Sequence, residues 1–326
     1  MYSFIAGSSK CSTKELSKIL TSVLSSIKEG LQKYCDVILS RSGINQMWIL
    51  QNSKELLENL KARSLSNITA IKTFDFSTLY TTIPHDKLKS RLKDIIQQAF
   101  FKKNGSRRYK YIVSGYRSTY FVTDKTDAKT FYTEDNIISM LEYLIDNIFV
   151  EFGGHVFQQS IGILIGTNCA PLLADSFHYS YEAEFLQKLV KNKKHREAKS
   201  FNFTFRYIDD VLSINNPSIN NYLSMLYPPE LEIKETTESS SSASYLDILL
   251  ECDSKGNLST RLYDKRDDFD FTIISFPHLC SNVPLSPAYG VYISQLVRYA
   301  RACSMYVDFM KRHRLLSSRL LSQVFF

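Results

Sequence analysis

Apolar residues recur at helical spacing over residues 12–34, where Leu16, Ile19, Leu20, Val23, Leu24, Ile27 and Leu31 share one face. The preceding Ser12-Thr-Lys-Glu15 has the form of a capping box. The same 3.6-residue period predicts helices over 53–62, 84–101, 133–149, 172–191 and 219–226, and helical structure through 286–326. Pro84 and Pro171 stand at two of the predicted starts. Extended patterns fall between them: 70–76, the tyrosine-rich stretch 101–130, 155–165, 203–214, 231–235, 245–250 and 258–263. The last two are predicted to pair around Ser254-Lys-Gly-Asn257, and the serine-rich 236–244 reads as a loop. Strands that pair mostly as antiparallel hairpins, with helical material at both ends, predict an α+β fold.

One extended stretch breaks the pattern with charge. Phe203-Thr-Phe-Arg-Tyr-Ile-Asp-Asp-Val-Leu-Ser-Ile214 sets two carboxylates, Asp209 and Asp210, between two apolar runs. It reads as strand, turn, strand. Two adjacent acids at such a place are unfavourable unless something neutralises them, and a divalent cation does so. A polymerase-type site needs a further acid on a neighbouring strand, and Asp75 ends the strand at 70–76. Three carboxylates suit Mg²⁺, a hard cation that prefers oxygen ligands. Two such ions about 3.5–4 Å apart serve phosphoryl transfer. A second pair, Asp267-Asp268, sits among Asp264-Lys-Arg266 and Asp270 and reads as a self-compensated surface loop.

The 326 residues, 44% of them hydrophobic and 22% charged, are ample for a large core. A net charge of +7 fits a polyanionic partner, though only modestly. The distribution sharpens this: in 101–130, Arg107, Arg108 and Lys110 and other bases alternate with Tyr109, Tyr111, Tyr120 and Phe121. Bases neutralise phosphates and aromatic faces stack on nucleobases, but a solvated hairpin with a half-buried aromatic face explains the pattern equally well. Six cysteines without paired spacing point to reduced thiols and an intracellular protein, with nuclear and cytoplasmic residence equally compatible. No signal peptide opens the chain, and the uncharged stretch 152–174 is too polar for a membrane span.

Three ordered segments carry a resemblance. Asp75-Phe-Ser-Thr-Leu-Tyr-Thr-Thr-Ile-Pro84, Gly162-Ile-Leu-Ile-Gly-Thr-Asn-Cys-Ala-Pro-Leu-Leu-Ala-Asp175 and Tyr207-Ile-Asp-Asp210 resemble reverse transcriptase motifs A, B and C. With Ser244-Tyr-Leu-Asp-Ile-Leu-Leu250 and Arg261-Leu-Tyr-Asp-Lys-Arg266 they are most similar to Penelope-like retroelement reverse transcriptases, relatives of telomerase. The resemblance implies a right-hand polymerase. Residues 1–69 would be partial, helical fingers, and 70–265 a palm with an antiparallel sheet and an inserted basic, fingers-like segment at 101–130. Residues 266–326 would be a helical thumb. It implies RNA-directed DNA polymerase activity with two Mg²⁺ ions, or Mn²⁺ in their place, acting on an RNA template, a DNA primer and deoxynucleoside triphosphates.

Site roles follow from the same resemblance. Asp75, Asp209 and Asp210 would be the catalytic metal ligands, joined by the backbone carbonyl of Phe76. Tyr80 would be the gate against a ribose 2′-hydroxyl, and Gly166, Thr167 and Asn168 would border the nucleotide. Tyr207 would pack near the primer end and Tyr245 would belong to a primer grip. Lys10, Lys14, Arg107 and Arg108 are expected at the template or primer. The chain departs from the pattern at Ile165, where Met or Gln is usual, at Leu164 in place of Pro, and at Ser3 in place of an Arg. It is expected to begin within the fingers and to carry no GIY-YIG nuclease segment. A second reading follows from the departures: a catalytically inactive retroelement remnant that binds RNA or an RNA–DNA hybrid.

Overall fold

The computed structural model describes residues 11–62, 65, 67–101, 106–115, 118–124, 130–237, 239–271, 273, 276, 278, 281–282 and 284–322. In chain order the helices are α1 (Lys14–Ser42), α2 (Ser53–Ala62), α3 (Leu79–Thr82), α4 (His85–Phe100), α5 (Glu134–Asp146), α6 (Ala170–Lys191), α7 (His195–Ser200), α8 (Asn220–Leu226), α9 (Leu285–Ala302) and α10 (Tyr306–Leu321). The strands are β1 (Ile71–Phe76), β2 (Tyr111–Ser114), β3 (Thr119–Val122), β4 (Phe131–Tyr132), β5 (Phe149–Phe152), β6 (His155–Gln158), β7 (Thr204–Tyr207), β8 (Asp210–Ile214), β9 (Ile233–Glu235), β10 (Ser242–Tyr245), β11 (Ile248–Cys252) and β12 (Leu258–Leu262). The mixture of helices with antiparallel hairpins agrees with the α+β expectation. Among the described residues no helix is long and apolar enough to cross a membrane.

The chain divides into two compact units, each built from separate segments. Residues 50–75, 203–217 and 235–326 form one unit and the remainder the other. In the first unit α1 packs against α4, α5 and α6, and α4 against α5 and α6; Leu20, Leu24, Leu92, Ile96, Leu141 and Leu173 on these helices are buried. The sheet β3-β2-β4 lies against α1, where the Ser26 hydroxyl donates to the Thr119 carbonyl. A separate ribbon, β5 with β6, turns through Gly153-Gly154 at φ 60 and 79°, the left-handed pair that a two-residue hairpin demands. Its Phe152, Val156 and Phe157 are more than half exposed.

The second unit holds β7, β8 and β1 side by side, and the hairpins β10-β11-β12. Its core joins Leu56 and Leu60 of α2, Ile71, Phe205, Leu212, Leu250 and Leu262 of the strands, Tyr299 of α9 and Leu316 and Leu320 of α10.

Several expectations are corrected. The first helix continues to Ser42 and stops at Gly43, whose φ of 67° lets its N–H reach the Leu39 carbonyl. Its capping box does not form: Thr13 caps without a side-chain bond and Glu15 pairs with Lys18 instead. A true box closes α5, between Thr133 and Asn136. The stretch 245–250 is not one strand. It folds back at Leu246-Asp247, so that Tyr245 faces Ile248, and the serine-rich loop supplies β10. The C-terminal helical stretch breaks at 303–305, where the Ser304 N–H donates to the Thr260 carbonyl.

Candidate active site

β7 and β8 form a hairpin closed by Tyr207 opposite Asp210, which leaves Ile208 and Asp209 as a two-residue turn. Such turns match the twist of their strands when the first turn residue has positive φ, a place that usually selects glycine or asparagine. Here Ile208 takes φ 54°. For a β-branched residue that conformation costs about 1–3 kcal/mol and persists where the surroundings enforce it. Two contacts do so: buried Arg206 donates from Nη1 to the Ile208 carbonyl at 3.2 Å, and the Tyr245 hydroxyl donates to the Asp210 carbonyl at 3.2 Å.

On its other side β8 pairs with β1 in antiparallel register from Ile71–Ile214 to Asp75–Asp210. Asp75 therefore lies directly across the ladder from Asp210, and opposed side chains on neighbouring strands stand roughly 5 Å apart at Cβ. Like charges so placed repel. Burial, then the charges of Asp209 and Asp75, push the Asp210 carboxyl up to about 6, and Lys265 draws it back only in part. Asp209 is raised too, by burial and then by Asp75. An under-compensated set of carboxylate oxygens on one edge of a sheet is the donor chemistry of a hard divalent cation, so the residues fit Mg²⁺. The convergence is one of backbone register: among the described residues no three His, Cys, Asp or Glu side chains form a ready ligand cluster.

Phe76, Tyr80 and the residues around Gly166 lie in the first unit. The Phe76 ring is buried against His178 and Tyr227, with centroids 4.5 and 4.8 Å away. Tyr80 rides on the short helix α3, half-buried. Its carbonyl accepts from the Ile163 N–H at 2.9 Å. Gly162, at φ 85°, sits so close that a Cβ there would come within 2.2 Å of the same carbonyl. The Gly162 N–H donates to the Ile83 carbonyl at 2.8 Å and the His85 Nε2–H donates to the Gly162 carbonyl at 2.9 Å. Sequence reasoning missed these positioning roles of Gly162 and His85; a glycine four residues before Gly166 was the available signal. Gly166 has φ 107° and is exposed with Asn168, while Thr167 is half-buried. The Ser17 hydroxyl accepts from the Cys169 N–H and ties this loop to α1.

Of the expected strand contacts, Lys10 lies outside the described residues. Lys14 opens α1, partly exposed. Arg107 is already engaged, with Glu134 at 2.8 Å, whereas Arg108 is exposed above the Tyr109 ring. Tyr207 is half-buried against the core of its unit. Tyr245 is buried, and its hydroxyl serves Asp210. The second acid pair is exposed, as expected, but is compensated from α10 and not within its own loop: Asp267 bonds Arg312 and Arg319, and Asp268 accepts from the Tyr263 hydroxyl.

No family model and no curated protein matches the sequence. Solved structures do. The chain is similar to telomerase from Candida albicans, determined with a fragment of telomeric RNA. That match has TM-score 0.51 and 15% identity over 75% of this chain and 39% of that one. It is also similar to apo telomerase from Candida tropicalis, with TM-score 0.50 and 13% identity over 86% of this chain and 46% of that one. The chain thus spans less than half the length of these relatives in structure. The likeness supports a fold like that of telomerase.

Proposed function

We propose that this chain is an RNA-directed DNA polymerase, a reverse transcriptase of a Penelope-like retroelement. The observation that carries the reading is Asp75 paired across the ladder with Asp210, with Asp209 in the adjoining strained turn. The telomerase-like fold and the order of the three motifs support it. In this reading the sheet β7-β8-β1 is the palm floor. Asp75, Asp209 and Asp210, with the Phe76 carbonyl, would hold two Mg²⁺ ions, for which Mn²⁺ can substitute. Bound there, the ions would lower the pKa of a primer 3′-hydroxyl and neutralise charge on the phosphoryl group being transferred.

Tyr80, held by Gly162 and Ile163 through its backbone, would exclude a ribose 2′-hydroxyl. Gly166, Thr167 and Asn168 would border the deoxynucleoside triphosphate. Tyr207 would face the primer end, and Lys14 and Arg108 would neutralise phosphates of an RNA template or DNA primer. The telomerase from Candida albicans was determined with RNA, and that likeness supports RNA as the partner here. The test is extension of a DNA primer on an RNA template with Mg²⁺ or Mn²⁺. Extension by the wild type and its loss in Asp209→Ala are expected; no extension by the wild type with either ion would refute the assignment.

Leu164 and Ile165 favour a second reading, a remnant that binds RNA or a hybrid without catalysis. Salt-dependent hybrid binding without extension would select it.

A further inference from the structure

The turn that carries Asp209 and Asp210 is gripped at both of its shoulders. Ile208 precedes Asp209 and gives its carbonyl to Arg206; Asp210 follows and gives its carbonyl to Tyr245. Both donors are buried, Arg206 at 0% and Tyr245 at 3% exposure. A guanidinium is seldom buried to that degree without a defined task, because its desolvation is costly. Tyr245 is anchored in turn. It begins a second two-residue hairpin, Tyr245-Leu246-Asp247-Ile248, in which Leu246 takes φ 56°, nearly the value of Ile208. Asp247 is held by Arg298 of α9 at 2.8 Å and its carbonyl accepts from the Tyr263 N–H at 2.9 Å.

We propose that Arg206 and Tyr245 form a two-point clamp on the backbone of the Asp209-Asp210 turn, and that as positioning residues they set the affinity of the acid trio for its divalent cations. The inference rests on the polymerase reading for the identity of the ions, but its logic is local. Neither side chain offers a metal ligand. Each holds a peptide carbonyl, which leaves the carboxylates free and fixes where their Cα atoms stand. Without the clamp the strained turn relaxes and the carboxylate spacing spreads. Loss of groups that orient ligands typically weakens metal binding by about 10–100-fold.

The test is direct titration of the folded protein with Mn²⁺, followed by electron paramagnetic resonance of the free ion, for wild type, Tyr245→Phe and Arg206→Lys. Tyr245→Phe removes one hydroxyl and keeps the ring. It is expected to weaken Mn²⁺ binding at least about tenfold while circular dichroism stays unchanged. In extension assays it should lower turnover and raise the metal requirement, with the KM for nucleotide unmoved. A role confined to folding would shift thermal stability and leave Mn²⁺ affinity within about twofold of wild type, and that result overturns the clamp. If one variant does not fold, the other decides by the same criterion. Failure of the wild type to bind Mn²⁺ would instead overturn the metal-site reading on which the clamp depends.

Discussion

Replacing Asp210 by Asn should make the protein more stable at neutral pH while abolishing its proposed chemistry. The Asp210 carboxyl is raised from an ordinary value of 3.8 to about 6, first by burial and then by Asp209 and Asp75. A group raised in this way favours the fold fully below its unfolded pKa, and that benefit is lost as pH rises through the folded value. The charged carboxylate therefore burdens the folded state above about pH 6. At about 1.4 kcal/mol per unit the full shift is worth about 3 kcal/mol, and partial solvent exposure of the site reduces this to about 1–2 kcal/mol. Asn keeps the shape and leaves the Asp210 backbone carbonyl free to accept from Tyr245. Thermal unfolding in a chelator at pH 7.5 should show the variant melting roughly 2–6 °C above wild type. At pH 4 the two should converge, since the wild-type carboxyl is then largely protonated. Millimolar Mn²⁺ should raise the wild-type midpoint and leave the variant unchanged. A variant less stable than wild type at pH 7.5, or an increment equal at both pH values, would refute the electrostatic reasoning.

Gly162→Ala should destabilise by at least about 2 kcal/mol, because a Cβ would meet the Tyr80 carbonyl and φ 85° disfavours any side chain; urea unfolding measures it, and a neutral result would mean that the loop moves away. Arg312→Ala removes the ion pair with Asp267 and a donor to the Leu262 carbonyl, and should cost about 1–2 kcal/mol by the same measurement, with part of the loss masked in high salt. Burial works against ionisation of Asp264, yet Arg266 holds its carboxyl down to about 2, so its contribution is present above about pH 4 and is lost as pH falls toward 2. Arg266→Ala should therefore lower stability throughout the range above about pH 4, and in acid unfolding the variant and wild type should converge as pH falls toward 2.

The acid site was legible because charge interrupts an apolar pattern. Asp209-Asp210 stood out between two strands, and the strand at Asp75 ended at the right kind of residue. Their register was not legible: nothing local tells β1 to pair with β8 so that Asp75 meets Asp210. The hairpin at Leu246 was missed for a related reason. Tyr245-Leu-Asp-Ile-Leu-Leu250 alternates like a strand and contains no glycine or asparagine to announce a turn. Its neighbours impose a backbone that Leu246 would not choose, as they do at Ile208, where the acid pair happened to mark the place. The extension of α1 past Tyr34 escaped because its later turns expose apolar residues such as Val37, so the stripe fades while the helix continues. The close approach of Gly162 to Tyr80 is a tertiary fact that composition does not record.

The β5-β6 ribbon bears on how this protein behaves at the bench. Among the described residues the ribbon has no third strand, and Phe152, Val156 and Phe157 are exposed on it. Its only formally charged residue is Glu151, with none of the lysines that commonly guard an exposed edge. Concentrated samples will thus self-associate through this ribbon first. Light scattering should rise with protein concentration, and a lysine in place of Val156 should suppress the rise and leave the acid turn, in the other unit, unchanged.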